Sequence, residues 1–217
     1  MKHHMLIKLI QSGENINVEF KQCFSEHEKI AKEIIAFANT RGGFIIFGIN
    51  DNGKILGVES EKEVAELVKE TINNFCEPKI NYNIDYYEIE SKEIVVIEIP
   101  ESDNKPHRIQ DYKKKLNINT AQIYLRVNDK SIPASKEMIK LMQKKSTESN
   151  LKNYTIGKNE KKVFEYLNEN DFITAKILSQ MANLSSRRSS RTLINLVRAN
   201  ILTIHTKENG ENYFSNR

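Results

Sequence analysis

Apolar positions in the first two-thirds of the chain switch repeatedly between helical and strand spacing. Residues 28–40 carry Ile30, Ile34, Ile35, Phe37 and Ala38 at helical intervals, and Arg41, Gly42 and Gly43 close the run, so a helix is predicted there. Residues 44–49 are apolar throughout but only of strand length, which predicts a buried strand. Asn50, Asp51, Asn52 and Gly53 then supply turn chemistry before residues 54–58, predicting a hairpin. Residues 61–75 place Val64, Leu67, Val68 and Ile72 on one helical face. Weaker signals predict helices over 5–11 and 135–142 and strands over 17–21, 82–89, 93–99 and 121–127, with a polar loop over 100–109. Alternation of this kind specifies an α+β fold with a mixed or mostly antiparallel sheet.

The last third reads differently. A polar stretch over 143–150 lacks any apolar period, and beyond it come three helices and a hairpin. Val163, Phe164 and Leu167 share a face of the first helix, over 161–168; Thr174 is placed to cap a second, over 175–181. Asn183, Leu184 and Ser185 form the turn into a longer helix over 186–199, whose Leu193, Leu196 and Val197 point inward. Runs at 201–206 and 211–214 flank Asn209-Gly210, a strong short hairpin signal. The expected organisation is a first domain over 1–145, a linker over 146–157 and a small winged helix-turn-helix domain over 158–217.

Bulk composition adds limits. The 217 residues are 29% charged and 39% hydrophobic, an ordinary globular balance. No apolar run reaches 18 residues, so no membrane span is expected, and residues 1–8 are too short in their apolar part for a signal peptide. Two cysteines, Cys23 and Cys76, are too few for a disulfide framework or a thiolate zinc site, and the expected compartment is a reducing cytoplasm. The five histidines are scattered and suggest no zinc site either; His107 and Arg108 are read as loop contacts to phosphate or, in the preferred reading, as merely exposed loop residues. Charge is unevenly placed. Residues 151–217 hold 11 Lys and Arg against 6 Asp and Glu, whereas residues 1–150 hold 22 against 23. A basic surplus confined to one module is the footprint of a partner rich in phosphate.

That surplus falls on the helix over 186–199. In a helix-turn-helix the second helix enters the major groove by its N-terminal residues. Here that end contains Arg187, Arg188, Ser189, Ser190 and Arg191. Arginine offers a planar fork to guanine edges and phosphates, and serine hydroxyls can reach either. Lys207 at the hairpin tip would touch the adjacent backbone. The competing reading is a solvated face or a protein-pairing surface; three arginines within five residues repel one another without a polyanion, which favours DNA.

Three strings in series carry a family resemblance: residues 13–21 with Glu14, Glu19 and Lys21, residues 36–43 ending in Arg41-Gly42-Gly43, and residues 48–58 with Asp51 and Gly53. Together with Pro106 and the later Tyr124-Leu125-Arg126-Val127-Asn128, they resemble the Schlafen AlbA-like domain over about residues 5–143. The resemblance implies nucleic-acid association and, with a C-terminal winged helix, a DNA-binding transcriptional regulator. It also implies an alternative, because some animal Schlafen proteins are metal-dependent endoribonucleases: Glu14, Glu19 and Asp51 match their catalytic and metal-binding carboxylates, which would hold Mg²⁺ or Mn²⁺. RNA then joins DNA among the expected partners. A homodimer fits the palindromic habit of DNA sites and the paired domains of animal relatives. A spacing of five would put Glu14 and Glu19 on opposite faces of one strand, so Glu14 must precede the strand or sit across a bend. Asp51 alternatively serves only as a turn former. Gly42-Gly43 lets a helix end and a strand begin, Asn39 should bond backbone in that corner, and Arg126 is a phosphate contact or a carboxylate partner. No Gly-x-x-x-x-Gly-Lys-Ser/Thr loop is present for ATP.

Overall fold

Strand-length apolar runs, covered on both faces, build the sheet that positions everything in the N-terminal part. The structure, a computed structural model, describes residues 1–145 and 155–217. It divides into two units, Met1–Ala134 and Ser135–Arg217. In chain order the first contains α1 (His3–Ser12), β1 (Val18–Lys21), α2 (His27–Asn39), β2 (Gly43–Phe47), α3 (Glu61–Phe75), β3 (Cys76–Glu77), β4 (Asn83–Ile89), β5 (Lys92–Ile99), β6 (Arg108–Ile109), β7 (Tyr124–Val127) and β8 (Lys130–Pro133).

Four strands form a mixed sheet in the order β1-β2-β5-β4, with β1 parallel to β2 and the other pairs antiparallel. Side chains alternate across a pleated strand, so each central strand feeds two cores. Ile45, Phe47, Val95 and Ile97 meet Ile30, Ile34 and Phe37 of α2 and Val68 and Ile72 of α3. Ile46, Ile94 and Val96 face the other way, against Leu6 of α1 and Val18 and Phe20 of β1. Burial on both faces explains why residues 44–47 are continuously apolar instead of alternating.

The α2–β2 corner shows why two glycines stand there. Gly42 has φ +73, and a Cβ on it would lie 2.6 Å from the Ile99 carbonyl oxygen; one on Gly43 would lie 2.5 Å from the Phe37 ring. At Gly42 both the backbone conformation and the close packing exclude a side chain; at Gly43 the packing alone does.

Most expected elements occur, and the sheet is mixed. Residues 54–58 do not form the second strand of a hairpin: one bridge, Ile49 to Ile55, is made, after which the amides of Leu56 and Gly57 donate to Gly48 O and that of Val58 to Glu93 O. The chain crosses the sheet end there instead of pairing along it.

The second unit contains α4 (Lys136–Lys145), α5 (Lys158–Glu169), α6 (Ala175–Ala182), α7 (Ser186–Arg198), β9 (Leu202–Thr206) and β10 (Asn212–Asn216). Val163, Leu167, Leu178, Leu193, Leu196, Leu202 and Phe214 form its core. Thr174 caps α6 by accepting the Ile177 amide at 3.2 Å, and Ser185 caps α7 by accepting that of Arg188 at 3.3 Å. Asn183, in the left-handed conformation at φ 50, ends α6 and turns the chain into α7. Strands β9 and β10 pair antiparallel, and Phe214 also bridges Ile173, tying the hairpin to the segment before α6.

Helix α4 groups with this second unit, although its sequence position suggests closing the first domain: Leu141 packs on the second core and Ser135 Oγ accepts from Asn212 Nδ2 at 2.7 Å. Of the expected linker, residues 146–154 lie outside the described residues.

Candidate functional sites

Glu14 precedes β1, as its spacing from Glu19 requires, and turns back so that its Oε1 accepts the Phe20 amide at 2.9 Å. Burial pushes the Glu14 carboxyl above its ordinary range; the Phe20 amide opposes this, and the charges of Glu19 and Asp51 add to the rise. The three carboxylates therefore share one electrostatic neighbourhood. They do not form a ligand set. Glu19 is 7% exposed, and both its oxygens are engaged: Oε2 lies 2.6 Å from Arg126 Nη2, and Oε1 is bound by Lys21 Nζ. Asp51 is exposed at the turn, where the Asn50 side chain, not Asp51, accepts the amides of Asn52 and Lys54. Among the described residues, no group of three or more His, Cys, Asp or Glu is arranged to hold a metal ion. As placed, Glu14, Glu19 and Asp51 do not fit a Mg²⁺ or Mn²⁺ centre.

Arg126 is a carboxylate partner. Its guanidinium reaches Glu19 and, at 3.0 Å, Glu33 Oε2; it donates to the carbonyls of Asn15 and Val18 at 3.1 Å and lies 4.9 Å from the centre of the Phe37 ring. Ser131 Oγ completes the cluster by bonding Glu33. The cluster joins β1, α2, β7 and β8. Glu33 and Ser131 are its unforeseen members; the signal for Glu33 was its place among Ile30, Ala31, Ile34 and Phe37 on a helix buried nearly all round, where a carboxylate needs a cation.

Asn39 bonds backbone, but of distant segments: Nδ2 donates to His107 O and Tyr124 O, and Oδ1 accepts the His107 amide at 2.8 Å. This clamp draws His107 inside, so the expected exposure of His107 and Arg108 is wrong: they are 0% and 6% exposed. His107 Nδ1 faces Pro78 O at 2.9 Å and Nε2 faces Ser102 Oγ at 2.6 Å. Burial holds the imidazole pKa below its ordinary value, the Pro78 bond opposing and the charge of Lys105 assisting. Arg108 is bound to Glu77 at 2.9 Å.

In the second unit, α7 separates its residues by face. Arg187, Arg188 and Arg191 are exposed, whereas Thr192, Leu193, Ile194 and Leu196 are buried. Ser189 is 0% exposed and its hydroxyl donates to Ser185 O at 3.2 Å, so it braces the helix start and does not reach outward; Ser190 is half-buried. Lys207 is exposed at the hairpin, 5.4 Å from the centre of the Phe172 ring and 5.8 Å from that of Tyr213, with Glu211 at 3.5 Å. The aromatic neighbours of Lys207 went unforeseen, because Phe172 is brought to the hairpin only by the Ile173–Phe214 bridge.

These features define an α+β protein with a mixed-sheet unit locked by buried ion pairs and a helical unit that exposes arginines. The chain belongs to the Schlafen, AlbA_2 family, which matches residues 14–135. It is 38% identical over 91 residues to an uncharacterized ATP-binding protein of Ureaplasma parvum, a match covering 39% of this chain and 26% of that one. The chain thus aligns with about a quarter of that relative's length. Two solved structures are similar: a Corynebacterium diphtheriae protein at 17% identity and TM-score 0.45, covering 68% of this chain and 32% of the other, and the N-terminal domain of an "ATP-dependent DNA Helicase RecG-related Protein" from Nitrosomonas europaea at 22% identity and TM-score 0.40, covering 50% and 81%. Among the described residues, no helix is long and apolar enough to cross a membrane.

Proposed function

We propose that this protein binds nucleic acid and that its second unit is a winged helix-turn-helix whose α7 reads duplex DNA, as in a transcriptional regulator. One observation carries the reading: Arg187, Arg188 and Arg191 stand exposed on the first turns of a helix whose opposite face is core. The helix N-terminus adds its own positive end, and Ser185 fixes where it starts. Lys207, held near Phe172 and Tyr213, supplies a further cation on the hairpin. Family membership and the basic surplus of residues 151–217 agree with a phosphate-bearing partner. The ATP-binding description stays with the Ureaplasma protein, since the shared stretch is a quarter of it and brings no phosphate loop here.

The test is duplex DNA binding across a salt series with Arg187→Ala/Arg188→Ala. Two lost phosphate contacts flatten the slope of log affinity against log salt by about 1.8, and a lost base contact weakens binding by about 1–3 kcal/mol. Unaltered affinity and slope would refute the reading. Glu19 is bound on both oxygens by cationic side chains, which argues against a metal-dependent nuclease.

A further inference from the structure

The loop between β6 and β7 holds the only run of three consecutive basic residues in the chain, Lys113-Lys114-Lys115, and all three are exposed. Tyr112 precedes them and is 85% exposed. Its φ is +57, a left-handed conformation that an aromatic residue rarely adopts and glycine adopts freely. Neither feature serves folding. The ring buries almost nothing, and Lys114 and Lys115 make no ion pair or hydrogen bond among the described residues.

The base of the loop is nevertheless firmly built. Gln110 Oε1 accepts the Tyr112 amide at 2.9 Å, and Asp111 Oδ1 accepts that of Lys113 at 3.1 Å. Buried Arg108 donates to Lys113 O at 2.9 Å while paired with Glu77 at the same distance. The Lys113 amide, with help from Arg108 and the Lys113 charge, also holds the Asp111 carboxyl below its ordinary range, and Asp111 Oδ2 lies 3.8 Å from Lys113 Nζ, so the acidic residue of the loop is shared between Arg108 and Lys113. What remains outside is one ring, the ammonium groups of Lys114 and Lys115, and that of Lys113 beside Asp111.

A flat aromatic face beside several cations matches an unpaired nucleotide strand, whose bases stack on the ring while phosphates meet the lysines. A duplex keeps its bases stacked inside and offers the ring nothing comparable. Anionic membranes are recruited by clusters of about 4–8 basic residues, more than this loop carries. We propose that Tyr112 and Lys113–Lys115 form a single-strand nucleic-acid site on the first unit, separate from α7: the tyrosine ring stacks one base and the lysines hold the flanking phosphates.

The test uses the full-length chain carrying Arg187→Ala/Arg188→Ala, so that α7 does not contribute, with fluorescein-labelled dT12 and U12 read by anisotropy over a KCl series. Adding Tyr112→Ala is expected to weaken binding by about 5- to 150-fold, the effect of losing one stacked base, while Tyr112→Phe binds normally. Lys114→Ala/Lys115→Ala should lower the salt slope by about 1.4. Tyr112→Gly separates binding from folding: it should lose affinity like alanine yet melt at a higher temperature, because glycine relieves the left-handed backbone. Failure of the parent to bind either oligonucleotide overturns the proposal. So does normal binding by Tyr112→Gly, or a loss seen only with phosphatidylserine vesicles. Duplex binding through α7 is scored in its own assay and can stand or fall independently.

Discussion

Replacing Arg126 by Met removes the one cation that faces both Glu19 and Glu33 from inside the first unit. The guanidinium is 1% exposed, and the two carboxylates are nearly buried. Deleting one member of a buried charge pair costs about 3–5 kcal/mol, chiefly because the partner charge stays behind unpaired. Here two carboxylates and the carbonyls of Asn15 and Val18 lose a donor at once, but Lys21 still binds Glu19 and Ser131 still binds Glu33. Those remaining partners keep the expected loss within that range, at about 4 kcal/mol. With a urea slope of about 2 kcal/mol per M, the unfolding midpoint of the first unit falls by about 2 M. Urea unfolding followed by circular dichroism and Tyr fluorescence measures it. Arg126→Lys should recover little, since an ammonium cannot fork between two carboxylates. Glu19→Gln/Glu33→Gln added to Arg126→Met should recover much of the loss by removing the stranded charges. A midpoint shift equivalent to less than about 1 kcal/mol, or a loss of nucleic-acid binding at unchanged stability, would refute the structural role and return Arg126 to the phosphate contacts.

Two further predictions concern the same unit. His107 is buried with its pKa below the ordinary 6.5, so the unfolded chain binds more protons beneath that pH; stability is full above 6.5 and falls by up to about 1.4 kcal/mol per pH unit as pH drops through 6.5, until the lower folded pKa is passed. Thermal melts at pH 7.5, 6.5 and 5.5 measure the slope, and His107→Gln should flatten it; an identical slope in the variant contradicts the assignment. In Mn²⁺ or Mg²⁺ the protein should leave tRNA and single-stranded DNA uncut, because Glu19 is held by Arg126 and Lys21. Cleavage that a chelator and Glu14→Gln both abolish would show that the ion pairs rearrange around a metal.

Elements with a strong period were legible and those without one were not. Residues 61–75 form a helix with the predicted limits because one apolar face, a Ser60 cap and acidic first-turn residues agree on it. Pairs such as β3 with β6 are two residues long and carry no period; the Asn39 clamp holds His107, the residue before β6, against α2. The carboxylates illustrate the same limit. Spacing correctly required Glu14 to precede the strand, yet nothing in the linear order shows that Arg126, 107 residues later, lies on Glu19. Ser189 shows the same limit: alternate residues at a helix start look equally available until the core side is known, and here it faces inward.

The arginines make the functional argument sharper than the charge count could. Composition treats Arg108, Arg126, Arg187, Arg188 and Arg191 alike, and in the sequence all sit near polar residues. Burial divides them. Arg108 and Arg126 are enclosed and matched by Glu77, Glu19 and Glu33, so their charge is neutralised inside the first unit. Arg187, Arg188 and Arg191 are exposed, on a helix with no acidic residue in its first turn. Charge cancelled by a buried partner exerts little field outside, whereas exposed, like-signed groups sum. The same division applies to lysines, with Lys21 folded onto Glu19 and Lys114 and Lys115 left outward beside Tyr112. The acidic balance of the first unit, 18 Lys and Arg against 21 Asp and Glu, therefore conceals a cationic loop. On the two proposals made above, a phosphate-bearing partner would meet two surfaces: a helix for the regular groove of a duplex, and a ring-and-lysine tip for a strand whose bases are free.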